Sequence, residues 1–525
     1  MEREMRDLVV CCDGTWQDAT DRSNVIELYK RLDVDPTQKK YLAGVGTGGL
    51  IDHLRGGIVG WGIDRDLLEG YRFLVEQYRP DDSISLFGFS RGAYLARSLA
   101  GMVGRIGIVD RTALDGEALE AAVAAAYGRY KTHKAELRAA RRTGRDAPPE
   151  PAADDVLPLA YDPRSPDVPV VFLGVWDTVG ALGIPSYLGL PDLLGSRDRY
   201  EFLDVVLDPR IPDARHAVSL DEMRGPFRPT LWDQSAAGIG QDITQTWFPG
   251  DHCDVGGGHG DDSGLSDGAL EWMIEQAHAA VGLPFTPEVI KPDPINGTLH
   301  GMWRGPLGAL AEAAMQPRPR ATPPVDAARR LPHLVHASAY ARQQATAAAP
   351  REKVYRPTRT MGVGETAEVV VEADQSWSAT GLYLEPGTYR FTATGRWGTP
   401  LGGGGPSGAA AWPVLGDGFA RVVDLVEQGL RQVVRNPDAE LVGARREADA
   451  PLMALVGLVA NELTDSKGDV VVTQDGERLN DEKFVIGDSM QRTVTRAGYL
   501  WAYGNDAWGS YGNNHGQVDL AVQRL

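Results

Sequence analysis

The sequence has little cysteine, a deficit of positive charge and no long apolar run. Three cysteines in 525 residues cannot build the disulfide framework of a small secreted domain. Lys and Arg number 53 and Asp and Glu 72, so the net charge is −19. This charge disfavours sequence-independent nucleic-acid binding, which needs cations on the phosphates. The charged start MEREMRDLVVCC predicts no signal peptide, and no run reaches the roughly 18 apolar residues of a membrane span. We therefore expect synthesis in the cytoplasm.

What is present is the composition of a folded protein with more than one domain. The chain is 42% apolar and 24% charged, in the range of globular proteins, and its length exceeds that of a single ordinary domain. The residue pattern changes near residue 352. We therefore expect one domain over residues 1–350 and a second over residues 352–525.

The first region alternates apolar strands with helical segments, a pattern that predicts a mostly parallel sheet. Strands are expected at residues 7–12, 40–45, 83–87, 168–176 and 244–248, and helices at 24–32, 63–78, 91–103 and 118–142. The fold class expected here is α/β, of the α/β-hydrolase type.

The second region has short β-rich runs between Gly, Pro and Asp turns, which predicts an all-β sandwich. The runs are EVVVEA, LYLEPGTYRFTATG, DVVVTQ and YLWAYG. A Gly/Ala-rich linker at 401–410 and an amphipathic helix at 417–435 interrupt them, so we expect a helical insertion over about 402–450. The apolar stripe of this helix favours packing on the core over contact with a membrane.

A candidate nucleophile lies in the GFSRG motif of residues 88–92. A G-x-S-x-G sequence between a strand and a helix is typical of a nucleophile elbow, with Ser90 as the nucleophile. The alternatives are a chance Gly-rich turn and a phosphate loop, but the GK[ST] of a phosphate loop is missing. The Arg91 amide, at the start of the helix, is a candidate oxyanion donor. A second donor is expected after the first strand, at Gly14 or Thr15.

The other members of a triad should follow in the order acid, then histidine. Asp177 directly follows the strand at 168–176 and is the candidate acid, although a turn aspartate that caps the next segment is the alternative. His252 follows the last strand and is the candidate base, with His259 in the same loop as its alternative. His216 and His336 are expected to be structural.

The loop around His252 also allows a metal interpretation. Five side chains there could bind a divalent ion: His252, Asp254, His259, Asp261 and Asp262. A serine hydrolase with an imidazole base needs no metal. We therefore favour the triad and expect no cofactor for catalysis.

Collinear motifs over about residues 5–345 carry a family resemblance. They include CCDGTW, YLAGVGTGG, GFSRGAYLARSLAGMVGRIGIV, FLGVWDTVGALG, RHAVSLDEMRGPFRP, WFPGDHCDVGGGHG and LVHASAYAR. This region resembles the α/β-hydrolase family that includes the phospholipase effectors of bacterial type VI secretion, family one. The resemblance implies a lipolytic hydrolase of lipid or phospholipid esters, with Ser90, Asp177 and His252 at the matching positions. It also implies export by a signal-independent system, with a secretion apparatus or an immunity protein as partner.

A second candidate site lies in residues 498–522, which contain Asn505-Asp506 and then YGNN. Carboxylate and amide oxygens suit Ca²⁺; two Asn/Gly turns between strands are the alternative. The segment resembles the calcium-dependent PA-I galactophilic lectin fold, a jelly-roll-like sandwich. The resemblance implies Ca²⁺ at Asp506, Asn513, Asn514 and the Ser510 carbonyl, and sugar contacts at Asp506 and Asn513. Trp508 could stack on a sugar or pack on a neighbouring helix.

The sequence favours a serine hydrolase of lipid esters with a calcium-binding, carbohydrate-binding-like accessory domain. Two alternatives stay open. One is an esterase that acts on acylated polysaccharide, for which a sugar-binding domain has a direct use. The other is a glycan-binding protein whose hydrolase domain is degenerate.

Overall fold

A computed structural model describes most of the chain. The described residues are 6–14, 21–44, 58–142, 157–179, 207–234, 237–301, 312, 315–348, 354–400, 402–408, 446–463 and 479–525. They form a parallel sheet flanked by helices, followed by two antiparallel sheets. The expected order, α/β and then all-β, is confirmed. None of the helices in these ranges combines the length and apolarity that crossing a membrane requires.

The first part is built on a parallel sheet. Its strands are β1 (Asp7–Cys12), β2 (Lys39–Leu42), β3 (Ser83–Phe89), β4 (Ile108–Val109), β5 (Leu159–Tyr161), β6 (Val170–Trp176), β7 (Asp213–Ser219) and β8 (Asp242–Phe248). Six of them form the sheet, in the order β2-β1-β3-β6-β7-β8, and β4 and β5 pair with each other outside it. Because β3, β6 and β8 are parallel, the residues that follow them meet at one edge of the sheet.

Helices cover both faces of this sheet. They are α1 (Asn24–Arg31), α2 (Ile58–Gln77), α3 (Arg91–Ile106), α4 (Gly116–Arg142), α5 (His252–Gly256), α6 (Gly264–Val281) and α7 (Ala337–Thr346). Alternate residues of β1 point to opposite faces. Leu8 and Val10 join the core with α2, α3 and α4, whereas Val9 and Cys11 join the core with α1 and α6. The continuous apolar run of β1 is therefore explained by burial on both faces.

Strand β7 was not among the expected strands because its sequence, DARHAVS, is rich in polar residues. The structure buries them with partners. The Arg215 guanidinium donates to Asp242 Oδ2 at 2.8 Å and to Gln276 Oε1 at 2.8 Å. The His216 Nε2 accepts from the Thr178 amide at 3.0 Å, and its Nδ1 lies 3.3 Å from Gln245 Oε1. Long-range partners of this kind leave no periodic signal in a sequence.

The buried imidazole of His216 predicts a loss of stability in acid. Burial lowers the pKa of His216 from 6.5 to about 3, so below pH 6.5 the unfolded chain binds a proton that the folded chain does not. The stabilisation is complete above pH 6.5 and is lost as the pH falls toward 3. Between about pH 6.5 and pH 4, the His216→Gln variant should lose ~3 kcal/mol less unfolding free energy than the wild type. Urea denaturation at each pH measures this difference.

The matched control for that series is His278→Gln, because His278 is an exposed histidine. This variant separates the general effect of replacing a histidine with glutamine from the effect at position 216. A His216→Gln variant that follows the wild type across the same window would contradict the assignment of acid sensitivity to His216.

The second part consists of two antiparallel sheets that share one core. Its strands are β9 (Thr366–Glu372), β10 (Ser378–Leu384), β11 (Gly387–Thr399), β12 (Gly402–Gly404), β13 (Leu455–Ala460), β14 (Glu482–Val485), β15 (Ser489–Val494), β16 (Gly498–Gly504) and β17 (His515–Arg524). One sheet has the order β10-β16-β13-β14, and the other has β12-β11-β17-β9 with β15 also on β11. Phe391 of β11 and Val459 of β13 belong to the same buried cluster, as expected for a sandwich.

The linker and the helix predicted to interrupt the sandwich lie only partly within the described residues. Residues 402–404, expected to belong to a linker, instead form β12 and pair with the end of β11. These residues pair although a linker was expected, because glycine lets two backbones approach closely. The helix predicted at 417–435 and the run DVVVTQ at 469–474 lie outside the described residues.

Candidate active site

Ser90 lies in a tight turn between β3 and α3. Its φ is +57° and its ψ is −121°. Residues other than glycine rarely adopt this backbone conformation, and a protein retains it where the surrounding structure enforces it. A Cβ on Gly88 would lie 2.4 Å from the Gly92 carbonyl oxygen, and one on Gly92 would lie 2.1 Å from the Cys12 carbonyl oxygen. The GFSRG motif therefore reflects steric need on both sides of the serine.

Asp177 and His252, predicted from separate motifs, are in direct contact. Asp177 directly follows β6, and His252 is the first residue of α5, after β8. His252 Nδ1 lies 2.6 Å from Asp177 Oδ2, and both side chains are buried. Among the described residues, His252 Nε2 has no hydrogen-bond partner. A carboxylate that accepts from Nδ1–H leaves Nε2 as the acceptor, which is the nitrogen that a general base uses.

The Asp177 carboxylate is held by two further groups. The Ser219 amide donates to its Oδ1 at 3.0 Å. The Arg320 guanidinium donates to Oδ1 at 2.8 Å and to Oδ2 at 2.9 Å. Burial alone would raise the pKa of Asp177, but the charge of Arg320 and the hydrogen bonds from His252 and Arg320 hold it well below its usual range. The carboxyl group is therefore ionised at neutral pH.

Two aromatic rings hold the His252 imidazole. The Phe89 ring centroid lies 4.6 Å from the imidazole centroid, and that of Phe227 lies 4.9 Å away. Phe89 precedes Ser90 in the chain, so the first contact brings the imidazole against the residue next to the candidate nucleophile. The Ser90 amide donates to the Trp176 carbonyl at 3.1 Å, which links the turn to the residue before Asp177.

Of the three predicted oxyanion donors, the structure describes Arg91 and Gly14. Arg91 is the first residue of α3, so its amide lies at a helix N-terminus, where the backbone dipole favours negative charge. The Gly14 amide already donates to Asp13 Oδ1 at 2.7 Å. A Cβ on Gly92 would lie 2.4 Å from the Asp13 carbonyl oxygen, so the end of β1 does border the serine turn. Thr15 lies outside the described residues.

His259, the alternative base, contacts a different aspartate. Its Nε2 lies 3.1 Å from Asp251 Oδ1. Asp251 Oδ1 also accepts from the Cys253 and Asp254 amides and thereby caps α5. His259 is thus tied to the cap of the helix that carries His252.

The five proposed metal ligands do not come together as one set. Single ligand atoms of Asp254, His259 and His300 lie within 4.8 Å of one another, a group that lacks His252 and adds His300. Asp254 Oδ1 lies 2.6 Å from His300 Nδ1, and the His259 and His300 rings stack with centroids 3.6 Å apart. Asp262 instead accepts from the Gly264 and Thr298 amides. The group therefore includes Asp254 of α5 but not His252.

His336, expected to be structural, caps a helix and stacks on an aromatic ring. Its side chain accepts from the Ser338 amide and caps α7, and its ring stacks on Phe248 with centroids 4.4 Å apart. Burial lowers the pKa of His336 to about 4. His216, in the middle of β7, likewise packs on Trp232.

Sequence analysis missed Arg320, although it contacts the candidate acid. The residue lies in QPRPRATPPV, at 316–325, a stretch with no helical or strand periodicity. An arginine in such a stretch predicts only an exposed loop, yet the Arg320 side chain is 4% exposed. Only the long-range contact with Asp177 reveals it.

The C-terminal candidate site brings two predicted ligands together. Asn514 Nδ2 donates to Asp506 Oδ2 at 2.9 Å, and both residues are buried. Asn514 Oδ1 is buried and has no hydrogen-bond partner among the described residues. Ser510 immediately precedes the short 3₁₀ helix Tyr511–Asn513, in which Asn513 is exposed.

Trp508 does not offer an open ring face for a sugar. Its side chain is buried, and the Arg446 guanidinium lies 4.0 Å from its ring centroid. Tyr503 and Trp377 contact the same guanidinium, at 3.5 Å and 4.2 Å. The expectation of sugar stacking at Trp508 therefore gives way to packing around Arg446, because a cation over an aromatic ring is itself a favourable contact.

Comparison with known families bears on the first part of the chain. A family model described as the type VI secretion (T6SS) phospholipase effector Tle1-like catalytic domain matches residues 6–276, more than half of the chain. The chain belongs to this family. The match spans Ser90, Asp177 and His252 and ends before Arg320.

One relative in Saccharomyces cerevisiae, the uncharacterized protein YEL023C, is 27% identical over 245 residues. The alignment covers 42% of this chain and 32% of that protein. The chain thus spans about a third of the length of the curated relative that it matches.

Solved structures resemble parts of the chain weakly. The Tle1 effector bound to the VgrG spike of the type VI secretion system is 20% identical, with coverage of 49% of this chain and 52% of that chain and a TM-score of 0.26. The PllA-like lectin domain at the N-terminus of EclA is 15% identical, with coverage of 30% and 95% and a TM-score of 0.18. Zea mays acyl-protein thioesterase 2 is 11% identical, with coverage of 52% and 95% and a TM-score of 0.22.

Proposed function

We propose that the chain is a serine hydrolase that cleaves carboxylic esters of lipids, with phospholipid acyl esters as the expected substrates of a phospholipase-type effector. The observation that carries the proposal is the buried contact of 2.6 Å between His252 Nδ1 and Asp177 Oδ2, at the sheet edge where Ser90 occupies a strained turn. Membership of a phospholipase effector family supports the same substrate class.

The proposed reaction uses each residue in one role. His252 Nε2 takes the proton of Ser90 Oγ as that oxygen attacks the acyl carbonyl, and Asp177 stabilises the resulting imidazolium. The oxyanion accepts a hydrogen bond from the Arg91 amide. The imidazolium then gives its proton to the leaving alcohol, and water hydrolyses the acyl-enzyme by the same steps. No metal or other cofactor takes part.

A substrate screen tests this function. Purified protein is incubated with short- and long-chain esters, with phospholipid vesicles and with acetylated polysaccharide, and the Ser90→Ala variant is the control. We expect release of fatty acid from phospholipid or lipid ester by the wild type only. Release of acetate from the polysaccharide alone would favour the polysaccharide esterase, and no hydrolysis of any ester would favour a glycan-binding protein with a degenerate hydrolase domain.

We also propose that the second part is a calcium-binding, carbohydrate-binding-like accessory domain. Burial raises the pKa of Asp506, and no cationic side chain of the described residues forms an ion pair with it. The adjacent Asn514 Oδ1 lacks a partner within the same ranges. A buried carboxylate and a free amide oxygen fit a hard divalent cation. Asp506, Asn513, Asn514 and the Ser510 carbonyl would hold Ca²⁺, with Asp506 and Asn513 facing the sugar.

The calcium proposal predicts a chelator effect on stability alone. A ligand that binds only the folded state raises its stability by mass action. In thermal unfolding of the full chain, chelation should therefore lower the melting temperature of the transition of the second part. The Asp506→Asn variant should lack this response, and Asp519→Asn, at an exposed aspartate of β17, should retain it. Hydrolysis of a soluble short-chain ester should not change on chelation. A chelator that abolishes hydrolysis would contradict the metal-free mechanism.

For partners, we propose that the protein is exported by a signal-independent apparatus, as the description of its family as type VI secretion effectors suggests. A component of that apparatus and a neutralising immunity protein are the expected protein partners. Co-purification of the full chain with a spike protein tests the first of these, and its absence would argue against direct loading on the spike.

A further inference from the structure

A short segment, residues 317–320, connects the candidate triad with the second part of the chain. Its Arg320 contacts Asp177, and its Pro317 and Arg318 contact residues that immediately precede strands of the antiparallel sheets. We propose that the C-terminal sandwich supports catalysis indirectly. It fixes the position of this segment, and the segment positions Asp177 through Arg320. The proposal rests on the proposed serine hydrolase function and assigns Arg320 as a positioning residue.

Arg320 is fixed on the side that faces the triad. Besides the paired hydrogen bonds to Asp177 at 2.8 Å and 2.9 Å, its guanidinium donates to the Ser219 carbonyl at 2.8 Å and to the Phe227 carbonyl. Such two-pronged contacts fix the plane of a carboxylate as well as its position. Phe227 also packs on the His252 ring. Arg320 therefore contacts both the candidate acid and a residue that packs against the candidate base.

The segment is fixed on its other side by the second part. Arg318 Nε donates to Asp481 Oδ2 at 2.8 Å, and its guanidinium lies 3.0 Å from Glu462 Oε2. The Trp377 indole donates to the Pro317 carbonyl. Glu462 follows β13, Asp481 immediately precedes β14, and Trp377 immediately precedes β10, three strands of one sheet. The anchors of the segment therefore lie beside the ends of three strands of one sheet.

Asp481 is itself held in place, which gives the anchor its rigidity. Its Oδ1 accepts from the Asn461 amide at 2.9 Å and from the Glu462 amide at 2.7 Å. The Arg318 backbone amide donates to the Met223 carbonyl at 2.6 Å, on the side of the parallel sheet. The segment is thus clamped between the two parts only a few residues from Arg320.

The consequence for catalysis follows from the geometry of the acid. His252 donates to Asp177 Oδ2, Ser219 donates to Oδ1, and Arg320 donates to both oxygens. If the segment shifts, the carboxylate rotates and its hydrogen bond to Nδ1 weakens, which misaligns the imidazole; a misplacement of about 1 Å can cost on the order of 100-fold in rate. The loss should fall on kcat, since none of these groups is assigned to substrate binding.

The test uses the full chain and substitutions that do not touch the triad. In Arg318→Ala and Trp377→Phe, singly and combined, we expect kcat for a soluble short-chain ester to fall by about 10-fold in the double variant, with KM within twofold. Labelling of Ser90 by a fluorophosphonate should slow in parallel. Arg390→Ala, an exposed arginine of β11, is the matched control and should behave as the wild type. Arg320→Ala should lose more activity than Arg320→Lys, which keeps the charge but not the paired contact.

The outcomes separate this proposal from the function on which it rests. If the wild type is labelled at Ser90 and the folded double variant is labelled at the same rate, the positioning role is overturned and the hydrolase remains. If the wild type itself is not labelled, both are overturned. Should Arg320→Ala fail to fold, the Arg318 and Trp377 variants decide the question, since their side chains lie outside the buried carboxylate site.

Discussion

Ser90→Ala is expected to lower kcat for ester hydrolysis by about 10⁴- to 10⁶-fold, the range in which loss of a nucleophile falls when triad members act as a unit. The melting temperature should not change, because alanine fits the same turn and the Ser90 side chain is not needed to cap α3, where it makes no hydrogen bond. Turnover of a soluble ester and thermal unfolding of the same preparation measure the two quantities.

Ser98→Ala is the matched control for that variant. Ser98 is a buried serine of α3, and its hydroxyl donates to the Tyr94 carbonyl at 2.7 Å. It should keep wild-type turnover. A Ser90→Ala protein that retains more than about a hundredth of the activity would contradict the nucleophile assignment, because so small a loss is far below that of a triad nucleophile.

His252→Ala should lose activity to a similar extent, about 10⁴-fold or more, since without the base the serine proton has no acceptor. The direct contact between His252 and Asp177 is the physical reason. His259→Ala should retain most of the activity, because His259 binds Asp251 at the cap of α5 and not Asp177. Parallel measurements of kcat on the two variants make the comparison.

The two histidines lie seven residues apart, so each variant is a control for the other. If His259→Ala is inactive and His252→Ala is active, the base has been misassigned within this loop. If both are inactive while folded, the hydrogen bonds around Asp251 and Asp254 take part in catalysis and the simple triad is insufficient.

Sequence reasoning succeeded where local patterns determine structure. The apolar run DLVVCC predicted β1 because a strand buried on both faces needs no alternation, and the structure has Asp7–Cys12. The spacing of GFSRG located the turn at Ser90 because a side chain at either glycine would collide with nearby backbone atoms. This requirement is visible within five residues of sequence. The order of strands along the chain then indicated the positions of Asp177 and His252, which the structure brings into contact.

Long-range partners account for most of what sequence reasoning missed. Strand β7 carries Arg215, which would be disfavoured in a buried strand without Asp242 and Gln276 beside it. Arg320 lies in a proline-rich stretch without periodicity, and only its contact with Asp177 links it to the candidate site. Trp508 illustrates the same limit, since Arg446, sixty-two positions earlier in the chain, covers its ring.

Covalent labelling of Ser90 tests the central claim most directly. The wild-type protein is treated with a fluorophosphonate, digested and mapped by mass spectrometry, alongside the Ser90→Ala and His252→Ala variants. The account predicts one adduct, on the peptide that contains GFSRG, no adduct in Ser90→Ala and a strongly slowed reaction in His252→Ala. An adduct on another serine, or an esterase that is active yet not labelled at Ser90, would contradict it.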